Sequence, residues 1–179
     1  HAALAIFKPG DHILVGNQIY GGTYRILNQY FKERGISFSV VDTTKLETIE
    51  PAIQTNTKAI YFEPITNPLL HVSSVKSVAK IAKHHHLLTI VDNTFLTPYL
   101  QKPLTLGADI VVHYATKYLG GHSDVIAGLV VTNSETLGKQ IYFIQNALGG
   151  VLSPESANLI RRGIQTLSVR MDRQQQNAF

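Results

Sequence analysis

Six short runs dominated by apolar residues recur along the chain, at 12–16, 37–42, 58–63, 87–92, 109–113 and 127–132. Glycine, proline or polar residues bound most of them. Runs of this length without strict alternation predict strands covered on both faces, as in a parallel sheet. Between them the apolar spacing lengthens to three and four. Ile26, Leu27, Tyr30 and Phe31 fall on one face of a helix that opens after Tyr20 and ends at Gly35, and Val75, Val78, Ala79 and Ala82 on one face of a helix over 72–86. Shorter helices are predicted over 46–53 and from Pro98 to Leu106, and longer ones over 137–148 and 154–167. The last of these has Ser153 as N-cap and proline at its first position.

Strands and helices alternate from end to end, with no repeat and no linker. This is the pattern of an α/β protein whose mainly parallel sheet is covered on both faces, with residues 1–179 forming one unit. Ligand sites in such sheets lie beyond the carboxyl ends of the strands. Four polar or aromatic residues fall there: Tyr20 after the first run, Asn67 after the third, Asp92 closing the fourth and Lys117 beyond the fifth. The first residues, His1–Phe7, read as the end of an apolar helix without a cap, and Gln174–Phe179 lacks a stop signal. The chain is therefore expected to be a segment of a longer protein.

Composition removes several classes of function. Without cysteine there is no disulfide framework, zinc–thiolate site or cysteine nucleophile. The formal charge is +4, but the 16 lysines and arginines are scattered and not interleaved with aromatics, so no nucleic-acid partner is expected. No apolar run approaches the roughly 20 residues of a membrane span, and no signal-peptide pattern is present; a cytoplasmic protein is the expectation. His84, His85 and His86 are consecutive, so on a helix they point about 100° apart and do not converge on a metal.

The chemistry rests on Asp92 and Lys117. Asp92 ends an apolar run, where a carboxylate is costly unless a cation meets it. That cation is either Lys117 or part of a ligand. Lys117 itself, in A-T-K-Y-L-G-G-H-S-D at 115–124, reads either as a surface lysine or as a Schiff-base nucleophile. A protonated pyridinium is a ligand cation that a carboxylate would keep electron-poor. Lysine, aspartate, the Tyr20 ring to stack on it and the Thr116 hydroxyl for phosphate are together the parts of a pyridoxal phosphate site.

Seven segments in order strengthen this reading: P-G-D-H at 9–12, Y-G-G-T-Y-R at 20–25, T-N-P-L-L at 66–70, V-D-N-T-F at 91–95, T-P-Y-L-Q at 97–101, the Lys117 segment, and Q-N-A-L-G at 145–149. With them the whole chain resembles the pyridoxal phosphate-dependent Cys/Met-metabolism (trans-sulfuration) enzymes. The resemblance implies a three-layer α/β/α large domain of the type I pyridoxal phosphate fold, without the family's N-terminal arm and C-terminal domain. It also implies a carbon–sulfur lyase acting on cystathionine or a related sulfur amino acid by β- or γ-elimination. A γ-replacement enzyme and an inactive fragment are the alternatives.

The same resemblance assigns residues. Lys117 would bind the cofactor covalently and move protons, Asp92 would pair the pyridine nitrogen, and Tyr20 would stack on the ring and assist the leaving sulfur. Asn67 would bond the phenolic oxygen, Thr116 would contact phosphate and Arg25 would lie near the substrate. Tyr114 stands where the family usually has a phosphate-binding serine, and its hydroxyl would have to reach the phosphate by another path. Glu63-Pro64-Ile65-Thr66-Asn67-Pro68 shifts the proline of the family's E-T-P-T-N-P by one. Assembly into dimers or tetramers is implied as well.

Overall fold

The computed structural model describes residues 1–178; Phe179, the end of the unterminated stretch from Gln174, lies outside the described residues. Six strands form one sheet: β1 (His12–Gly16), β2 (Ser37–Val41), β3 (Thr57–Phe62), β4 (Leu88–Asp92), β5 (Ile110–His113) and β6 (Leu129–Val131). Their order is β2-β1-β3-β4-β5-β6, all neighbours parallel except the antiparallel pair β5–β6. The mainly parallel α/β sheet expected from the apolar runs is therefore present.

Alternate residues of the strands feed two cores. Ile13, Val15, Tyr61, Ile90 and Ile110 pack with Leu27, Phe31 and Ile141 on one face. On the other, Leu14, Ile60, Phe62, Val91 and Val111 pack with Val75, Val78 and Ala82. Two cores separated by one sheet make three layers. His12, also buried, ties the edge together, its ring nitrogens 2.8 Å from Thr57 Oγ1 and 3.0 Å from Ser39 Oγ.

The helices differ from expectation where local chemistry intervenes. The helix after Tyr20 begins as α1 (Gly21–Arg25), widens into a π-helical stretch over Ile26–Phe31 and tightens over Lys32–Arg34 before Gly35 at φ 78°. The widened stretch brings Leu27 and Phe31 into one core. The helix over 72–86 shortens to α2 (Val75–His84), because the Ser74 hydroxyl caps it by accepting from Ser77 N–H. Pro103 separates α3 (Thr97–Leu100) from a single 3₁₀ turn over Pro103–Leu106. Residues 46–53 form two such turns. Helices α4 (Glu135–Leu148) and α5 (Pro154–Gln165) follow, and then α6 (Leu167–Asn177), which the apolar pattern does not announce: it buries only Leu167 and Met171.

Helix α5 matters for the site because it supports the turn that carries Lys117. That turn is tight, with Gly120 N–H donating to Ala115 O at 2.7 Å and Gly121 N–H to Lys117 O at 2.8 Å. Gly163 of α5 lies directly against it, and a Cβ there would collide with the carbonyl oxygens of Leu119 and Gly120. Because these are backbone atoms, relief requires moving the helix or the turn. Gly163→Ala is therefore expected to destabilise the fold by roughly 1–3 kcal/mol, the usual cost of overpacking. Calorimetry should show a Tm lowered by several degrees; an unchanged Tm would mean that α5 does not hold this turn.

Candidate active site

The chain crosses from one side of β1 to the other between β2 and β3, so β1 and β3 flank a switch point. Loops leaving parallel strands on either side of such a point diverge and open a crevice. A cleft of about 190 Å³ lies there. Tyr20 enters it from the β1–α1 connection, Glu63 from the end of β3, and Asp92 and Thr94 from the end of β4. Asn67 comes from the loop after β3, and Tyr114 and Lys117 from the turn after β5. Five of the seven sequence-assigned residues thus converge across four strand ends.

Asp92 is buried at the floor and well supplied with donors. Tyr61 Oη–H donates to Oδ2 at 3.1 Å, Thr94 N–H to Oδ1 at 3.1 Å, and the Thr94 hydroxyl to the same Oδ1. Burial first, and the Asp92 charge second, push the Tyr61 phenol well above the usual tyrosine range, so it remains a donor. Thr94 is fixed in turn by Tyr114 N–H, which donates to its Oγ1 at 2.8 Å. Next along the chain, Asn93 Nδ2 holds the loop by donating to Thr97 O and Gln101 O, both at 3.0 Å. This accounts for V-D-N-T-F locally: one residue faces the cleft, the next anchors the loop, the third braces the first.

Among the described residues no basic side chain forms a salt bridge with Asp92, and Lys117 forms none either. The bland alternative, an Asp92–Lys117 ion pair, is therefore not what the structure contains. Lys117 is exposed, with Nζ 5.4 Å from the centroid of the Tyr114 ring, and it borders both this cleft and a wider one of about 800 Å³. Tyr20 is 54% exposed and stacks on Tyr114, with ring centroids 5.7 Å apart. A buried carboxylate with donors but no cation, an amine with no acid and a half-exposed aromatic ring fit a flat cationic ligand.

A model of the family described as Cys/Met metabolism PLP-dependent enzymes matches residues 1–179. The chain belongs to that family. It is 52% identical over 178 residues to cystathionine beta-lyase of Lactococcus lactis subsp. cremoris (strain MG1363), covering 99% of this chain and 47% of that protein. It is 54% identical over 177 residues to cystathionine gamma-lyase of Bacillus subtilis (strain 168), covering 99% and 47%. The crystal structure of cystathionine gamma-lyase from Lactobacillus plantarum complexed with L-serine superposes with a TM-score of 0.92 at 52% identity, over 94% of this chain and 44% of that one. The chain thus spans about half the length of the curated relatives it matches, and its fold is that of the family's pyridoxal phosphate-dependent members.

The other assigned residues stand apart from this cleft. The Thr116 hydroxyl accepts from Ala127 N–H at 2.9 Å and donates to Ala127 O at 3.3 Å, so it is committed to the backbone, and its residue borders the wider cleft. Arg25 is exposed on α1 and lines neither cleft. His122 and Asp124 brace the turn, not the lysine: His122 Nδ1 lies 2.9 Å from Gly120 O, and Asp124 pairs with Arg162 at 2.7 Å. Arg170 folds over the same turn, its guanidinium against Gly121, and donates to Gly163 O at 2.7 Å.

Sequence reasoning missed Glu63, Tyr61 and Thr94 as site residues. Glu63 carried a signal: like Asp92, it is a carboxylate directly after an apolar strand. Burial, with the Asp92 charge adding to it, raises its carboxyl to about 7, against the opposing hydrogen bond from Tyr20 N–H.

Proposed function

We propose that residues 1–179 are part of the cofactor-binding large domain of a carbon–sulfur lyase that cleaves cystathionine or a related sulfur amino acid by β- or γ-elimination. The observation that carries the proposal is the uncompensated Asp92 carboxylate across one cleft from the unpaired Lys117 amine. Bound there, pyridoxal phosphate would supply an electron-poor ring able to take up the electron pair released at the substrate α-carbon. Lys117 Nζ would be the amine that holds the cofactor and, once free, the base placed to take the substrate α-proton. Asp92 would keep the pyridine nitrogen protonated, Tyr20 would cover the ring, and its hydroxyl would serve the departing sulfur. Asn67 would orient the phenolic oxygen and Tyr114 would lie toward the phosphate; Thr116, its hydroxyl held by Ala127, and Arg25, outside both clefts, would reach phosphate and substrate only after a side-chain rearrangement. Cytoplasmic location and assembly into dimers or tetramers belong to the same proposal, and fractionation and light scattering check them.

The test is to add pyridoxal phosphate to the full protein and then supply cystathionine. A visible absorbance band absent from Lys117→Ala is expected, followed by ammonia, a thiol amino acid and a 2-oxo acid. Pyruvate marks β-elimination and 2-oxobutyrate γ-elimination. If cystathionine gives no oxo acid but an O-acylhomoserine supplied with cysteine gives a thioether and the free acid, a γ-replacement reading replaces the lyase one.

A further inference from the structure

Tyr20 is the most exposed aromatic of the cleft, and its position is set from below. Its amide N–H donates to Glu63 Oε1 at 2.6 Å, joining residues 43 apart in sequence. From Tyr20 the chain turns at once into α1, where Tyr20 O accepts from Thr23 and Tyr24 N–H at 2.9 and 3.1 Å. The Glu63 carboxylate therefore fixes the one backbone point from which both the Tyr20 ring and the first turn of α1 depart. No side chain caps α1 itself. We propose that Glu63 is a positioning residue whose carboxylate clamps the Tyr20 amide and thereby places the Tyr20 ring over the cleft. Its consequence for turnover rests on the reading of the cleft given above; the clamp itself does not.

The clamp is adjustable because a carboxylate accepts a stronger hydrogen bond than a carboxylic acid. Glu63 titrates near 7, with burial the main cause. The titratable groups around it are Tyr61 on its own strand, which feels its charge, and Asp92 from β4, Tyr114 and Lys117 from the turn after β5 and Tyr20, which line the same cleft. Of these, Asp92 disfavours the ionised form, and the Tyr20 amide favours it. Above about 7 the ionised carboxylate holds Tyr20 tightly; as pH falls through that value the hold weakens. Glu63→Gln is the neutral, isosteric state that should resemble the low-pH form at every pH.

The decisive measurement needs neither cofactor nor substrate. In protein labelled with ¹⁵N-tyrosine, the Tyr20 amide resonance, assigned by its loss in Tyr20→Phe, should move with a midpoint near 7, and Glu63→Gln should abolish that movement. A Tyr20 amide that does not respond to pH in the wild-type protein overturns the proposal, and this arm requires no variant of Glu63 to fold. In the holoenzyme, Glu63→Gln should keep the cofactor absorbance band and lower kcat at pH 8 on the order of tenfold, within the range that misplacement of a reacting group costs. It should also flatten the fall in kcat below pH 7. If the amide titrates but no cofactor band forms in the wild type, the functional reading fails and the clamp stands. If the band forms and Glu63→Gln matches the wild-type pH profile, the clamp has no part in the reaction.

Discussion

Lys117→Ala is expected to reduce cystathionine turnover by at least about 10³-fold, within the range lost with a proton-transferring group alone. It should leave the folded state almost untouched. The side chain is exposed and forms no salt bridge among the described residues, so little is sacrificed beyond the cation–π approach of Nζ to the Tyr114 ring at 5.4 Å. Surface substitutions of this kind usually change stability by less than about 0.5 kcal/mol. Activity and stability therefore separate: near-complete loss of turnover with an unchanged Tm. The residual protein should still take up pyridoxal phosphate through Asp92 and Tyr20, more weakly and reversibly on dialysis. A variant retaining a tenth of wild-type turnover would remove Lys117 from the chemistry, whatever its place in the cleft.

The parallel strands β1, β3, β4 and β5 were legible because burial on both faces forces continuous apolar runs, which few other elements produce at that length; β2, at the sheet edge, is largely uncovered although its run predicted cover on both faces. Asp92 was legible for the complementary reason: one carboxylate ending such a run carries an energetic cost that something must offset. Helix α6 was not, since it buries only two apolar residues along one side and its stretch gives no sustained period. The widened turn at Ile26–Phe31 was hidden because its apolar spacing is the same as that of a regular helix. Glu63 shows a different limit. Its position after β3 is visible in the sequence, but its meaning comes from a backbone amide 43 residues earlier, and only the β1–β3 pairing brings the two together. Thr116 shows the reverse: a hydroxyl next to Lys117 invites a ligand role, yet its hydrogen-bonding capacity is directed to Ala127.

Asp92→Asn is the second large effect expected, and it acts at two levels. The substitution keeps the shape but removes the negative charge, so a protonated pyridine nitrogen loses its partner and the ring becomes a poorer acceptor of electrons. Turnover should fall on the order of 10²–10³-fold, comparable to losing one preorganised electrostatic contact in a buried site. Asparagine also brings an NH₂ group into a place now surrounded by donors, the Tyr61 hydroxyl and both groups of Thr94. With its NH₂ toward Thr94 the amide meets a backbone donor, and with its NH₂ toward Tyr61 the phenol must accept instead of donate, its own proton losing the carboxylate; a buried unsatisfied group costs about 1–3 kcal/mol. A lower Tm should therefore accompany the lost activity, unlike Lys117→Ala. The charge also reaches Glu63, whose carboxyl it helps to raise. Without it the Glu63 midpoint should move below about 7, while burial, the larger cause, keeps it above the ordinary glutamate range. The Tyr20 amide reports that midpoint, so one titration of Asp92→Asn checks the coupling between the two carboxylates. A Tyr20 midpoint unchanged from the wild type would show that Asp92 and Glu63 do not sense each other across the cleft.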